Sequence, residues 1–180
     1  MAFNVAEFRA AMIGDGARPN LFSVSLTFPT FSTGGADAGR KVTFMAKASQ
    51  LPGSTIGTVP LNYFGREIKL AGNRTFPDWT ITIINDEDFS IRNSLESWMN
   101  ALNSHAGNLR STAANGLTNY SVDANVIQYG KTGNQIKSYK FVGLFPQDIA
   151  PIDLDWSSND TIEEYSATFA YQWWESNTTT

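Results

Sequence analysis

The stretch AGNRTFPDWTITIINDEDFSIRNSLESWMNAL, Ala71 to Leu102, decides how the rest of the chain is read. Its first half alternates: Trp79, Ile81 and Ile83 point one way and Thr80 and Thr82 the other, the period of a half-buried strand. Then the period changes. Ile91, Leu95, Trp98 and Leu102 recur at spacings of four, three and four, which places them on one face of a helix. Asp86, Glu87 and Asp88 lie at the junction, where negative charge favours the positive end of a new helix. A strand therefore runs directly into the main helix of the chain.

Outward from this stretch the pattern is mostly of strands. Asn4 with Glu7 three residues on forms a capping-box pattern, and Val5, Phe8 and Met12 share the face of a short N-terminal helix that Gly14 and Gly16 stop. Phe22, Val24, Leu26 and Phe28 alternate with Ser23, Ser25 and Thr27 in a first strand ended by Pro29. Ser32 to Gly39 is glycine-rich and predicts a loop, and Lys41 to Ala48 a second strand burying Val42 and Phe44. Gln50 to Leu70 holds strand-like residues, two prolines and three glycines without clear core periodicity, which predicts an extended hairpin or arm at an edge. Tyr120–Tyr129 and Gln135–Val142 form a hairpin pattern, and Gly143–Ile149 a turn. Thr161 to Trp174 is a last strand, with Tyr165, Ala167, Phe169, Tyr171 and Trp173 on one face and Glu164, Ser166, Thr168, Ala170 and Gln172 on the other. Ser176 to Thr180 is expected to fray.

The fold expected is one domain over residues 1–180, mainly β: an antiparallel sandwich or small barrel of six or seven strands with one main α-helix.

Composition excludes several functions. Charged residues make up 17% of the chain, against about a quarter in typical soluble domains. Sparse charge beside many Ser, Thr and Asn points to surface that meets protein. A net charge of −4 argues against a dedicated nucleic-acid binder, which needs a basic stripe. Without cysteine there is no disulfide, zinc-thiolate site or cysteine nucleophile. No apolar run is long enough to anchor the chain in a membrane, and no leader signals secretion, so the cytoplasm is the default compartment.

Candidate sites are few. His105, the single histidine, sits in a loop without an evident orienting partner, so a surface position is expected. Asp153–Glu164 has oxygen-bearing residues at positions 1, 3, 5 and 12 of a calcium-type loop. However, Ser158 replaces the turn glycine, and a polar turn is the better reading. Asp86, Glu87 and Asp88 are explained by capping. No catalytic constellation remains, and no enzyme class is supported.

Four stretches, in this order, carry a further signal: GDGARPNLF (Gly14–Phe22), LAGNRTFPDWTITIINDE (Leu70–Glu87), GLFP (Gly143–Pro146) and LDWSSNDTIEEYSATFAYQWWE (Leu154–Glu175). Together they resemble the tail tube proteins of contractile-tailed bacteriophages. The resemblance implies a structural virion subunit forming hexameric rings stacked into the inner tube of the tail, with strands of the ring closing into one inner barrel and DNA passing after sheath contraction. It implies as partners further copies of the chain, the tail sheath protein, and the baseplate and tail-terminator proteins. Assembly would take place in the host cytoplasm, and neither a cofactor nor a metal is implied. The arm at 50–70 is then expected to reach into the neighbouring ring through Thr55, Ile56, Val59, Leu61, Tyr63 and Phe64. The hydroxyl-rich faces suit a wet channel that does not grip phosphates, so Ser23, Ser25, Thr27, Thr80, Thr82, Glu164, Ser166, Thr168 and Gln172 are expected to line it. Alternative readings are the tube of a bacterial contractile injection device and a monomeric β-sandwich binding module.

Overall fold

The change of period after Ile84 is where the backbone passes from sheet to helix. In the computed structural model, which describes residues 4–179, Trp79–Ile84 is a strand (β5) and Ser90–Leu102 a helix (α3). β5 buries Trp79, Ile81 and Ile83 and leaves Thr80, Thr82 and Ile84 partly exposed. Ile91, Leu95 and Trp98 of α3 are buried, with Leu102 packed half-buried at its end. Phe89 makes the corner in a left-handed conformation, and Asp88 Oδ1 accepts the Ser90 N–H at 3.0 Å. Of the two aspartates only Asp88 reaches the start of α3 in this way; Asp86 Oδ1 accepts the Glu87 N–H at 2.9 Å, and both carboxylates bind Lys41, which belongs to another helix.

The remaining strands are β1 (Phe22–Leu26), β2 (Ala46–Ser49), β3 (Thr55–Tyr63), β4 (Arg66–Thr75), β6 (Val122–Tyr129), β7 (Gln135–Ile149), β8 (Glu164–Ala170) and β9 (Trp173–Ser176). The other α-helices are α1 (Val5–Ala11), α2 (Gly35–Met45) and α4 (Leu117–Tyr120). Among the described residues seven strands form one antiparallel sheet in the order β1-β6-β7-β8-β5-β2, with β9 also on β7, while β3 and β4 pair only with each other. β7 folds the sheet in two. Its first half pairs with β6 and β9 and its second half with β8. Phe141 from the first half stacks across the core on Trp79 of β5, with ring centroids 4.5 Å apart. Val24 and Leu26 of β1, Val126 of β6 and Phe169 of β8 fill the same core, and α2 and α3 add Val42, Leu95 and Trp98.

Four segments differ from their sequence reading. The predicted loop and strand over residues 32–48 are the helix α2 followed by the short strand β2. Val42 is buried as expected, but Phe44 is 82% exposed. The glycines misled because they serve contact rather than flexibility: a Cβ on Gly35 would stand 2.8 Å from Phe28 Cβ, and one on Gly39 3.0 Å from the Leu26 carbonyl oxygen. Four residues apart, they let α2 lie directly on β1.

The expected turn at Gly143–Ile149 is instead the second half of β7. Gly143 bends it at φ 67°, and the pairing with β8 slips between Pro146 and Asp148, which accommodates a residue without an N–H to donate. The last strand breaks after Ala170, where the Gln172 N–H donates to the Val142 carbonyl. Tyr165, Ala167 and Phe169 are buried, but Trp173 is 45% exposed and leaves the face assigned to it. Finally, Ser176 is part of β9, and Thr179 binds back to it through backbone and hydroxyl, so fraying does not begin at Ser176. Thr180, like residues 1–3, lies outside the described residues.

Candidate assembly surfaces

The segment without evident core periodicity is a β-ribbon with two unlike faces. β3 and β4 run for nine and ten residues, and every residue except Gly72 is exposed. Val59 pairs with Leu70, Leu61 with Ile68 and Tyr63 with Arg66; between them Pro60 pairs with Lys69 and Asn62 with Glu67. Directly opposed residues share a face. One face therefore carries Val59, Leu61, Tyr63, Ile68 and Leu70, ending in Arg66, and the other is polar. The arm extends to Thr75, five residues beyond the expected Leu70. Ile68 and Leu70 complete the apolar face and were missed. Their signal was the alternation of Ile68 and Leu70, mirrored by that of Val59, Leu61 and Tyr63 about the tip.

At the tip, Phe64 and Gly65 both have positive φ, 44° and 79°, the geometry of a two-residue type I′ hairpin. Phe64 is 90% exposed and meets Tyr63 edge-on at 4.5 Å. The base is anchored: Trp174 Nε1 donates to the Gly53 carbonyl at 3.0 Å, and Phe76 packs against Tyr171 and Trp174. Of the expected contact residues, Thr55 and Ile56 lie nearest this base, opposite Thr75 and Arg74. Val59, Leu61 and Tyr63 lie along the blade and Phe64 caps it.

The hydroxyl-bearing faces fall into two groups. Thr80 and Thr168 are register partners whose hydroxyls are 3.1 Å apart, and Thr82 pairs with Ser166 in the next row. Lys47 of β2 forms an ion pair with Glu164 beside them. This surface of β2, β5 and β8 is polar, hydroxylated and locally charge-balanced. Ser23, Ser25 and Thr27 belong to the other half of the folded sheet: the Ser23 hydroxyl is 3.2 Å from the Tyr129 hydroxyl, and Thr27 donates to the Asp123 carbonyl. Since both halves turn their apolar faces into one core, these two hydroxyl rows are not brought together. Gln172 stands apart from both, in the break between β8 and β9 over Gly143.

The remaining candidates have local partners. His105 is exposed, with Nδ1 3.2 Å from Asn100 Oδ1. Asp155 accepts the Ser157 N–H at 2.9 Å, and that hydrogen bond holds its carboxyl below the ordinary value. Among the described residues no group of three or more His, Asp or Glu is placed to hold a metal ion, and no helix is long and apolar enough to cross a membrane. A depression of about 710 Å³ lies between β1 and α2, where the charged side chains are Asp37 and Arg40, exposed and paired with each other.

Comparison with known proteins agrees with an assembly role. A family model described as phage tail tube protein matches residues 17–177. The chain is 33% identical over 168 residues to the tail tube protein gp19 of Enterobacteria phage T4, covering 93% of this chain and 96% of that one. It is 28% identical to the tail tube protein of Serratia phage KSP90, with 93% of each chain covered. Among solved structures, the sheath-tube complex of the extracellular contractile injection system PVC, in its extended state, contains a chain of the same fold. That match has a TM-score of 0.59 and 13% identity over 97% of this chain and 98% of that one. The tube-terminating cap of the anti-feeding prophage gives 0.63 and 15% over 89% and 90%.

Proposed function

The chain belongs to the phage tail tube protein family, a family of structural and not enzymatic proteins, and from that premise we propose that it builds the inner tube of a contractile tail. Hexameric rings stack along the tail axis, and the arm of each subunit crosses to the adjoining ring. The observation that carries this reading is the β3–β4 ribbon, whose apolar face is uncovered among the described residues of its own subunit. A lone two-stranded ribbon is marginal in water, so an arm of this length is understandable if a neighbour completes its packing. Burial of that face contributes about 25 cal/mol per Å² to ring stacking.

The hydroxyl surface of β2, β5 and β8 lines the channel in this proposal. It offers DNA hydrogen-bonding groups without unpaired cations, so the duplex slides instead of binding. Sheath, baseplate and terminator proteins are the further partners, by analogy with the sheath-tube and tube-terminating assemblies that contain the same fold. The subunit is made and assembled in the host cytoplasm before it becomes part of the virion. Negative-stain microscopy of the purified chain, with and without an initiating tail complex, tests the proposal: rings or tubes are expected, and particles that stay monomeric at high concentration with initiator present contradict it.

A further inference from the structure

The base of the arm and the β7–β8 loop lie at opposite ends of β5. β5 begins at Trp79, three residues after Phe76 at the arm's base, and ends at Ile84, opposite Glu164. Asn85, one residue on, binds Glu163 at the far end of the loop, its N–H to the carbonyl and its side-chain amide to the carboxylate, both at 2.8 Å. A six-residue strand separates these ends by about 17–20 Å. The loop is also unusual in composition. Residues 150–163 contain Asp153, Asp155, Asp160 and Glu163 and no lysine or arginine. The same segment exposes three large apolar side chains, Leu154, Ile162 and Trp156, the last with 100% of its surface in solvent. A depression of about 340 Å³ lies beside Leu154 and Ile162.

We propose that the β7–β8 loop is the receptor for the arm of a second copy of this chain, which seats its apolar face over Leu154, Trp156 and Ile162. The inference rests on the tube reading above and adds to it the surface that the arm finds. Three features match. The arm brings Val59, Leu61, Tyr63, Ile68 and Leu70 on one face, and the loop offers apolar side chains that its own subunit leaves uncovered. The arm carries Arg66, Lys69 and Arg74 against the single Glu67, and the loop carries only acids. Lastly, the arm's base and the loop are at opposite ends of β5 and both surfaces stay exposed, so neither covers the other within the subunit. The contact they make is head-to-tail, which propagates without closing and so suits an axial stack. The carboxylates steer the arm on approach, and desolvation of Trp156 supplies the holding contact.

The chain has no cysteine, so cross-linking reports the contact without background. Tyr63→Cys is combined in one chain with Leu154→Cys, Trp156→Cys or Ile162→Cys, all at side chains outside the closed core, and each variant is checked by thermal melting. At least one pair should give a ladder of covalent multimers from assembled tubes under oxidation or with a short bis-maleimide, and the single-cysteine chains should not. Arg66→Glu with Lys69→Glu should slow tube elongation at least tenfold at low salt. Intact tubes from all three pairs without any ladder overturn the inference, as does a Trp156→Cys chain that links to sheath while its arm cysteine stays reactive. If the unmodified chain forms no ring or tube at all, it is the tube reading that fails, a result distinct from tubes that do not cross-link.

Discussion

Trp98 joins three parts of the subunit. Its indole is fully buried on α3, meets the Phe28 ring edge-on at 5.8 Å, and donates from Nε1 to the Tyr120 carbonyl at 2.9 Å. Trp98→Ala removes both contacts and the buried indole, and should destabilise the subunit by about 3–5 kcal/mol in chemical denaturation. Trp98→Phe keeps most of the packing but leaves the Tyr120 carbonyl without its donor, for a loss of about 1–3 kcal/mol. A null effect of both would mean that this face is not core. Phe64 makes the opposite case. A non-glycine residue at positive φ costs about 1–2 kcal/mol, yet here it is an exposed aromatic at the tip of the arm. Phe64→Gly should therefore leave the melting temperature unchanged or raise it while shortening the tubes seen by microscopy. Lower stability together with normal tubes would reverse that assignment.

At the scale of elements, the arm is separable and the junction of α2 with the β5–α3 corner is not. Thr55 and Thr75 are register partners, so residues 56–74 can be replaced by a two-residue turn without stretching the base. The shortened subunit should melt cooperatively near the parent temperature and fail to form long tubes; loss of the melting transition would show that the ribbon belongs to the subunit's own core. The junction is held by Lys41, whose hydrogen bonds to Asp88 and Asp86 raise its pKa and lower that of Asp88. A depressed carboxyl stabilises above its unfolded pKa, near 3.8, and loses that contribution as pH falls through the lower folded value. The raised ammonium contributes below its unfolded value of 10.5 and loses this as pH rises through the higher folded one. The clamp is thus whole across neutral pH. The difference in melting temperature between the parent and Asp88→Asn should stay level there, begin to shrink once pH falls below about 3.8 and vanish as pH passes the lower folded value; a difference that persists once the carboxyl is protonated would show that its charge is not the source. These elements also explain what the sequence made legible. β5 and α3 were readable because one apolar face at a single period dominates each. α2 was not, because Gly35 and Gly39 look like a loop until β1 is seen lying against them. The second half of β7 was hidden behind Gly143 and Pro146, residues that bend a strand as often as they end it. The arm's apolar face was hidden too, since its two strands alternate correctly but bury nothing in their own chain.

In the whole molecule the decisive question is which surface meets DNA in the proposed tube. A ring repeats each channel residue in every subunit, so one uncompensated charge becomes a closed belt at each level of the stack. On the β2–β5–β8 surface Lys47 is compensated by Glu164, and Thr80, Thr82, Ser166 and Thr168 contribute hydroxyls. On that proposal, neutrality rather than negative charge keeps the channel from holding phosphates. Glu164→Gln should unmask Lys47 and slow DNA ejection, as should Thr168→Lys, which places a new cation beside Thr80. Neither should disturb the core, because both positions lie on the face opposite Tyr165, Ala167 and Phe169. Added belts of positive charge act through screened attraction to phosphates, so the delay should be large in dilute buffer and shrink once the Debye length falls to about 3 Å in 1 M salt. The measurement is the ejection time of intact particles carrying each variant at low and high salt. If both variants eject at the parent rate in dilute buffer, this surface does not line the channel, and the row on β1 at Ser23, Ser25 and Thr27 becomes the one to test with lysine in the same assay.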